Sequence, residues 1–202
     1  MSRSGFSISG LFFYTLVMRI TIKTGIISAA IWIGIKLSFF YLGVFQETIV
    51  PAVLLNILGL LLSIAIGLFL QKRRDTEETN TMIDMKNGMS AGVPYVMIVS
   101  IFIYFYYSKI NPEYYSHQIA ENEIAIEKMV NDPIALQKFK ESQEDAEVMT
   151  KEQIEGKLKD SNKKGASAGF TATLSTLALL ILATLYSLLI TIIYRRIMFK
   201  RM

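Results

Sequence analysis

Few residues in this chain have the type and spacing to do chemistry. Residues 165–169, GASAG, match the G-x-S-x-G pattern that lifts a nucleophilic serine, here Ser167, onto a strand-to-helix turn. That chemistry needs a strand before the turn and a histidine after it. Here a charged stretch comes first, an apolar run follows, and the single histidine, His117, lies fifty residues earlier. The small residues fit better as a flexible lead-in to the apolar run. His117 has Glu113, Glu121 and Glu123 at helical spacing, but one histidine with scattered carboxylates is a poor ligand set. Cysteine is absent, which removes disulfides, thiol nucleophiles and thiolate sites. The sequence therefore offers no catalytic residue, no cofactor site and no metal site, and reads as a non-enzyme.

Two further polar residues stand out by where they lie. Lys36 and Asn56 each sit inside a long apolar run. An ionisable group at membrane depth is a functional hypothesis by default. A relay would need a carboxylate in another run, and there is none; Glu47 is eleven residues away, roughly 16 Å along a helix. Lys36 then either snorkels toward the headgroups, with its helix ending near Leu42–Gly43, or is held by carbonyls or a lipid phosphate. Asn56 reads as a cross-helix hydrogen bond.

The elements that carry these residues follow from the apolar runs. The chain of 202 residues is 52% hydrophobic and only 19% charged, and the charge is unevenly spread. Stretches of about 18 or more apolar residues read as membrane-crossing helices, because the backbone must satisfy itself in lipid. Four such spans are predicted, at 24–45, 49–70, 89–108 and about 170–194. The fold is thus all-α and polytopic, with four transmembrane helices as two hairpins. Residues 1–23 form an interfacial N-terminal helix rather than a cleaved leader, 71–88 a cytoplasmic link, 109–165 a long helical segment outside the membrane, and 166–202 the last span with a basic tail. Pro51 and Pro94 are placed in opening turns. Asn111–Pro112 and Asp132–Pro133 read as a capping side chain followed by proline at the first helical position. ITIKTGIISA (20–29) and IDMKNGMSAG (83–92) each precede a span and suggest a weak repeat of the hairpin.

Charge gives the threading. The flanks of the spans at one side collect eleven Lys and Arg, including Arg73, Arg74, Arg195 and Arg196, against four acids. The other side, 109–165 with the 48-region turn, carries nine lysines, no arginine and thirteen acids. By the positive-inside bias both termini are cytoplasmic, and 109–165 is periplasmic in a bacterial inner membrane. The basic fringe is explained by anchoring to lipid, so nucleic acid is not a partner.

Small residues recur in steps of four: Ala30, Gly34 and Ser38 in the first span; Gly59, Ser63 and Gly67 in the second; Ala183, Ser187 and Thr191 in the fourth. Such ridges let helices approach within the chain or, alternatively, in a homo-oligomer. In 109–165, stripes of Tyr115, Ile119, Ile126 and Val130, of Leu136 and Phe139, and of Ile154 and Leu158 are thin. That segment is expected to lean on the bilayer, a second copy or another protein, or else to be a solvated helical loop.

MKNGMSAG before the third span, YFYYSKINPEYY (104–115) after it, the acidic outer segment with TKEQIE, and a final span ending in Arg-Arg together resemble a family of uncharacterised four-span inner-membrane proteins common in Bacteroidota, domain-of-unknown-function family 4199. Lys36 departs from the apolar first span of that pattern. The resemblance implies topology and compartment and carries over no activity. The functional expectation is a scaffold or accessory subunit whose outer helices contact a partner, with a small oligomeric transporter or channel as the alternative.

Overall fold

The computed structural model describes residues 19–44, 50–74 and 80–198. Residues 1–18 of the expected N-terminal interfacial helix and the turn bearing Glu47 lie outside them, and residues 20–23 of that stretch belong to α1. Eight α-helices occur among the described residues: α1 (Ile20–Tyr41), α2 (Val50–Arg74), α3 (Thr81–Phe105), α4 (Glu113–Asn131), α5 (Pro133–Ser142), α6 (Glu144–Glu147), α7 (Lys151–Gly165) and α8 (Ala168–Ile193). Five-residue π-helical turns extend α3 at Tyr106–Ile110 and α8 at Tyr194–Met198. No strand occurs among these residues. Helices α1, α2, α3 and α8 are long and apolar enough to cross a membrane. The chain divides into two compact units, one of residues 1–99 with 177–202 and one of residues 100–176.

The first unit is a helical bundle whose outward residues are large and apolar, such as Ile31, Leu54, Leu62, Ile181 and Leu185. Its helices run beyond the apolar stretches that mark them in sequence. The first spans 20–41 and stops where Gly43 turns left-handed at φ 69°, a conformation cheap only for glycine. The polar segment 81–88, read as part of a link, is the first two turns of α3; Asn80 caps it by accepting a hydrogen bond from the Ile83 N–H at 2.8 Å. Pro94 therefore sits in the middle of α3 and not in an opening turn. It removes one N–H from the ladder, a loss membrane helices tolerate when packed by neighbours.

Two of the three small-residue ridges pack within the bundle. Ser63, Gly67, Ala183, Ser187 and Thr191 are buried, and a Cβ on Gly67 would lie 2.9 Å from the Ala91 side chain. The first-span ridge does not. Ala30, Gly34 and Ser38 are exposed, and nothing lies within 4 Å of where a Gly34 Cβ would be. The buried face of α1 is Thr21, Thr24, Gly25, Ala29 and Trp32 instead. Trp32 anchors it by donating its indole N–H to the Ala52 carbonyl of α2 at 3.2 Å. A different stepped ridge, Thr21, Gly25 and Ala29, together with Trp32, defines this face.

In the second unit the three thin stripes converge. Val130 from α4, Ala146 from α6 and Ile154 from α7 are buried together, and Ile126, Met129, Leu136, Phe139, Met149 and Leu158 pack around them. The segment thus has a small core of its own. Its ends are set locally. Asp132 accepts from the Ile134 and Ala135 N–H groups with Pro133 behind it, and Thr150 with Gln153 makes a complete capping box. Asn111 does not cap α4; the helix begins at Glu113 after Pro112 without a side-chain cap, and the Asn111 N–H closes the π-turn on the Tyr106 carbonyl. Helices α4 and α7 are joined by Asn122–Asn162, by Asn162 to the Ile119 carbonyl, and by Lys159, which bridges Glu127 at 2.8 Å and Glu155 at 2.7 Å. The Glu127 and Glu155 hydrogen bonds hold the Lys159 ammonium above its usual range. Its contribution is present at neutral pH and is lost in alkali, as pH rises through that raised value. Ile154→Ala is expected to cost this unit about 2–5 kcal/mol. Hydrogen exchange of the 113–165 amides checks this: protection should fall there and persist in 50–74.

Candidate functional site at the basic end of the bundle

The sequence candidates for chemistry are placed apart. Ser167 is the N-cap of α8: its hydroxyl accepts from the Phe170 N–H at 3.3 Å and donates to the Lys164 carbonyl. His117 is exposed on α4. Among the described residues no three of His, Asp and Glu cluster in a way that could hold a metal. Lys36 is half-buried, five residues or about 7.5 Å of helix rise before the end of α1. Asn56 is buried in α2 and meets Tyr95 of α3, whose hydroxyl lies 2.8 Å from the amide Oδ1 and 3.0 Å from the Asn56 backbone carbonyl. Gly59 makes room for that hydroxyl, since a Cβ there would sit 2.6 Å from it. Tyr95→Phe keeps the ring and deletes this bond. A loss of about 1 kcal/mol is expected, read by reversible unfolding in mixed detergent micelles.

The strongest polar constellation is one that sequence reasoning passed over. Asp84, in the first turn of α3, is 1% exposed. Its Oδ1 lies 2.9 Å from the Lys72 Nζ of α2, and its Oδ2 2.9 Å from the Arg195 Nε of the π-turn ending α8. Arg195 also reaches the Thr81 hydroxyl at 3.2 Å. Three helices are thereby joined through one carboxylate. The polarity suits the helix ends, with an anion in a first turn and cations in last turns.

Periodicity puts the three residues there. Arg195 lies four, eight and twelve residues after Thr191, Ser187 and Ala183, so it continues the buried ridge of α8. Lys72 continues Leu60, Ile64 and Leu68 of α2 in the same way. Asp84 lies four and eight residues before Gly88 and Gly92, whose Cβ positions would touch Ser187 at 3.0 Å and Ala183 at 3.1 Å. The signal was present: an acid and two cations each in register with a small or apolar packing face. As charges counted on one flank they looked like anchors only.

Aromatics brace the same corner. Tyr194 donates to the Ala65 carbonyl at 3.0 Å and packs edge-on against Phe69, with ring centroids 6.3 Å apart at 70°. The Arg73 guanidinium lies over Phe69, 5.6 Å from its centroid. Arg73, Arg74 and Arg196, which directly follow Lys72 and Arg195 in the chain, are exposed. Arg73 and Arg74 close α2 itself, and Arg195 belongs to the sealed pair system rather than to a free fringe.

Not every buried polar group is paired. Thr24, Ser38, Ser90, Thr173, Thr176 and Thr184 return their hydroxyls to the carbonyl four residues earlier, as serines and threonines in lipid-buried helices do. Thr21, Ser63, Ser100, Ser187 and Thr191 are buried with no hydrogen-bond partner.

Four helices able to span lipid, a close-packed bundle and an internal ion triad define a polytopic all-α membrane protein. A family model described as protein of unknown function (DUF4199) matches residues 23–196, and the chain belongs to that family. No curated protein and no solved structure matches it.

Proposed function

We propose that this protein is a non-enzymatic scaffold or accessory subunit of a bacterial inner membrane, of the kind found in Bacteroidota. Its bundle acts as a rigid anchor and its 109–165 segment contacts a protein partner. Both termini are cytoplasmic in this reading and 109–165 is periplasmic, in line with the eleven cations and four acids on one side of the spans. One observation carries the proposal. The outer helices share a core yet leave large apolar side chains uncovered, with Val148 90%, Ile134 69% and Ile124 54% exposed. Among the described residues of 109–165 these are the large apolar side chains left exposed for contact with a partner. A photo-crosslinking amino acid at Val148 or Ile134 in intact cells should give a discrete protein adduct, while one at the lipid-facing Ile31 should not. Failure of both outer positions to give any adduct would remove the scaffold reading.

A second reading, a small oligomeric transporter, is favoured by the unpartnered hydroxyls of Ser63, Ser187 and Thr191. Buried hydroxyls without partners suit a seam that opens to water in another state. Ser187→Cys in sealed vesicles separates the two. Modification by a charged thiol reagent supports transport, and an inert thiol supports the anchor.

A further inference from the structure

The triad sorts its charges by depth. The Asp84 carboxylate is sealed at 1% exposure, whereas the Lys72 and Arg195 side chains keep 14% and 36%. The negative member faces inward and the positive members face the boundary. Arg73, Arg74 and Arg196, next to Lys72 and Arg195 in the chain, are exposed, as are Lys23 on α1 and Lys86 on α3. Arg73 is not a loose chain: Phe69 supports its guanidinium, Tyr194 supports Phe69, and the Ala65 carbonyl holds Tyr194. By sequence this end carries eleven cations and four acids, and one of those acids is the buried Asp84. A pre-oriented guanidinium at the end of a membrane span, in a field of net positive charge, matches a phosphate diester in the headgroup layer.

We infer that Arg73, Arg74 and Arg196, arrayed around the Asp84–Lys72–Arg195 triad, form a binding site for the headgroup phosphate of acidic phospholipids. The triad holds the ends of α2 and α8 together so that arginines from both helices reach one headgroup. An acidic lipid is preferred over a zwitterionic one at this collar because eleven cations outnumber the four acids at this end, and one of those acids, Asp84, is buried. The site requires only that the spans cross lipid, whichever leaflet the collar meets.

Native mass spectrometry of the full chain in detergent, with phosphatidylglycerol or phosphatidylcholine added, tests this. Phosphatidylglycerol adducts should be retained preferentially and should raise Tm. Arg73→Gln/Arg196→Gln should weaken phosphatidylglycerol retention roughly 25-fold, taking about fivefold per surface arginine. Lipid-free Tm should fall only slightly, through loss of the Arg73–Phe69 contact, because neither guanidinium touches Asp84. Lys128→Gln/Lys138→Gln, on the outer module, should retain lipid as wild type does. Wild-type adducts should also fall as salt rises, which tests the site without any variant. Equal retention of the two lipids, unchanged retention in the arginine variant, or salt-insensitive adducts would each overturn the site. Inorganic phosphate raising Tm as much as phosphatidylglycerol would reassign it to a free anion.

Discussion

Lys72→Met/Arg195→Met is expected to destabilise the bundle by about 3–5 kcal/mol, the cost of leaving a buried charge without its partners. Asp84 is the reason. At 1% exposure its carboxylate cannot be rehydrated unless the end of α3 comes away from α2 and α8. Removing Asp84 alone should do less harm, because Lys72 and Arg195 keep part of their surface and can extend toward the headgroups. The informative variant is the triple one, adding Asp84→Leu to the two methionines. A buried ion cluster replaced by apolar residues of similar size is often neutral or stabilising, so most of the loss should return. Reversible unfolding in mixed micelles, followed by circular dichroism, reads all three. If the double variant is as stable as wild type, or the triple variant is no better than the double, Asp84 is not sealed between these helices.

Gly25→Ala should destabilise by about 1–3 kcal/mol, while Gly34→Ala, nine residues along the same helix, should be neutral or stabilising by up to about 1 kcal/mol. The two substitutions add the same methyl group to the same α1. A Cβ on Gly25 falls on the backbone carbonyl of Ala91 in α3, which has no flexible end to move aside. The helices must separate there, and the neighbouring contact of Gly67 with Ala91 loosens with them. At Gly34 there is open space, so only the gain in helix propensity remains. Equal effects at the two sites would mean that α1 is turned about its axis relative to this packing. A loss at Gly34 that grows with dilution of the protein would instead show that the exposed ridge of Ala30, Gly34 and Ser38 meets a second copy.

Much of the architecture was legible in the chain because it is local. The apolar runs, Asp132–Pro133, and Thr150 with Gln153 each act within one or two turns, and the helices at those points follow them. The span ends were less legible. Apolar content alone places the third span at 89–108, yet α3 starts at Thr81, because Asp84 and Asn87 are buried against neighbours and need not leave the helix. Pro94 was misplaced for the same reason. The ridge of the first span failed differently: spacing shows that Ala30, Gly34 and Ser38 share a face, but not which way that face is turned.

Composition and periodicity settled what kind of protein this is, since four apolar runs of such length, with Lys36 their one charge, can be covered only by lipid or by one another. They also settled which residues share a helix face. Which faces meet was left to the packed bundle. Asp84 and Arg195 stand 111 residues apart in sequence and 2.9 Å apart in space, and no local rule joins an acid on one flank to an arginine on another. The pairing exists because burial strips water from Asp84, and a carboxylate without water holds its place only where cations from other helices can reach it.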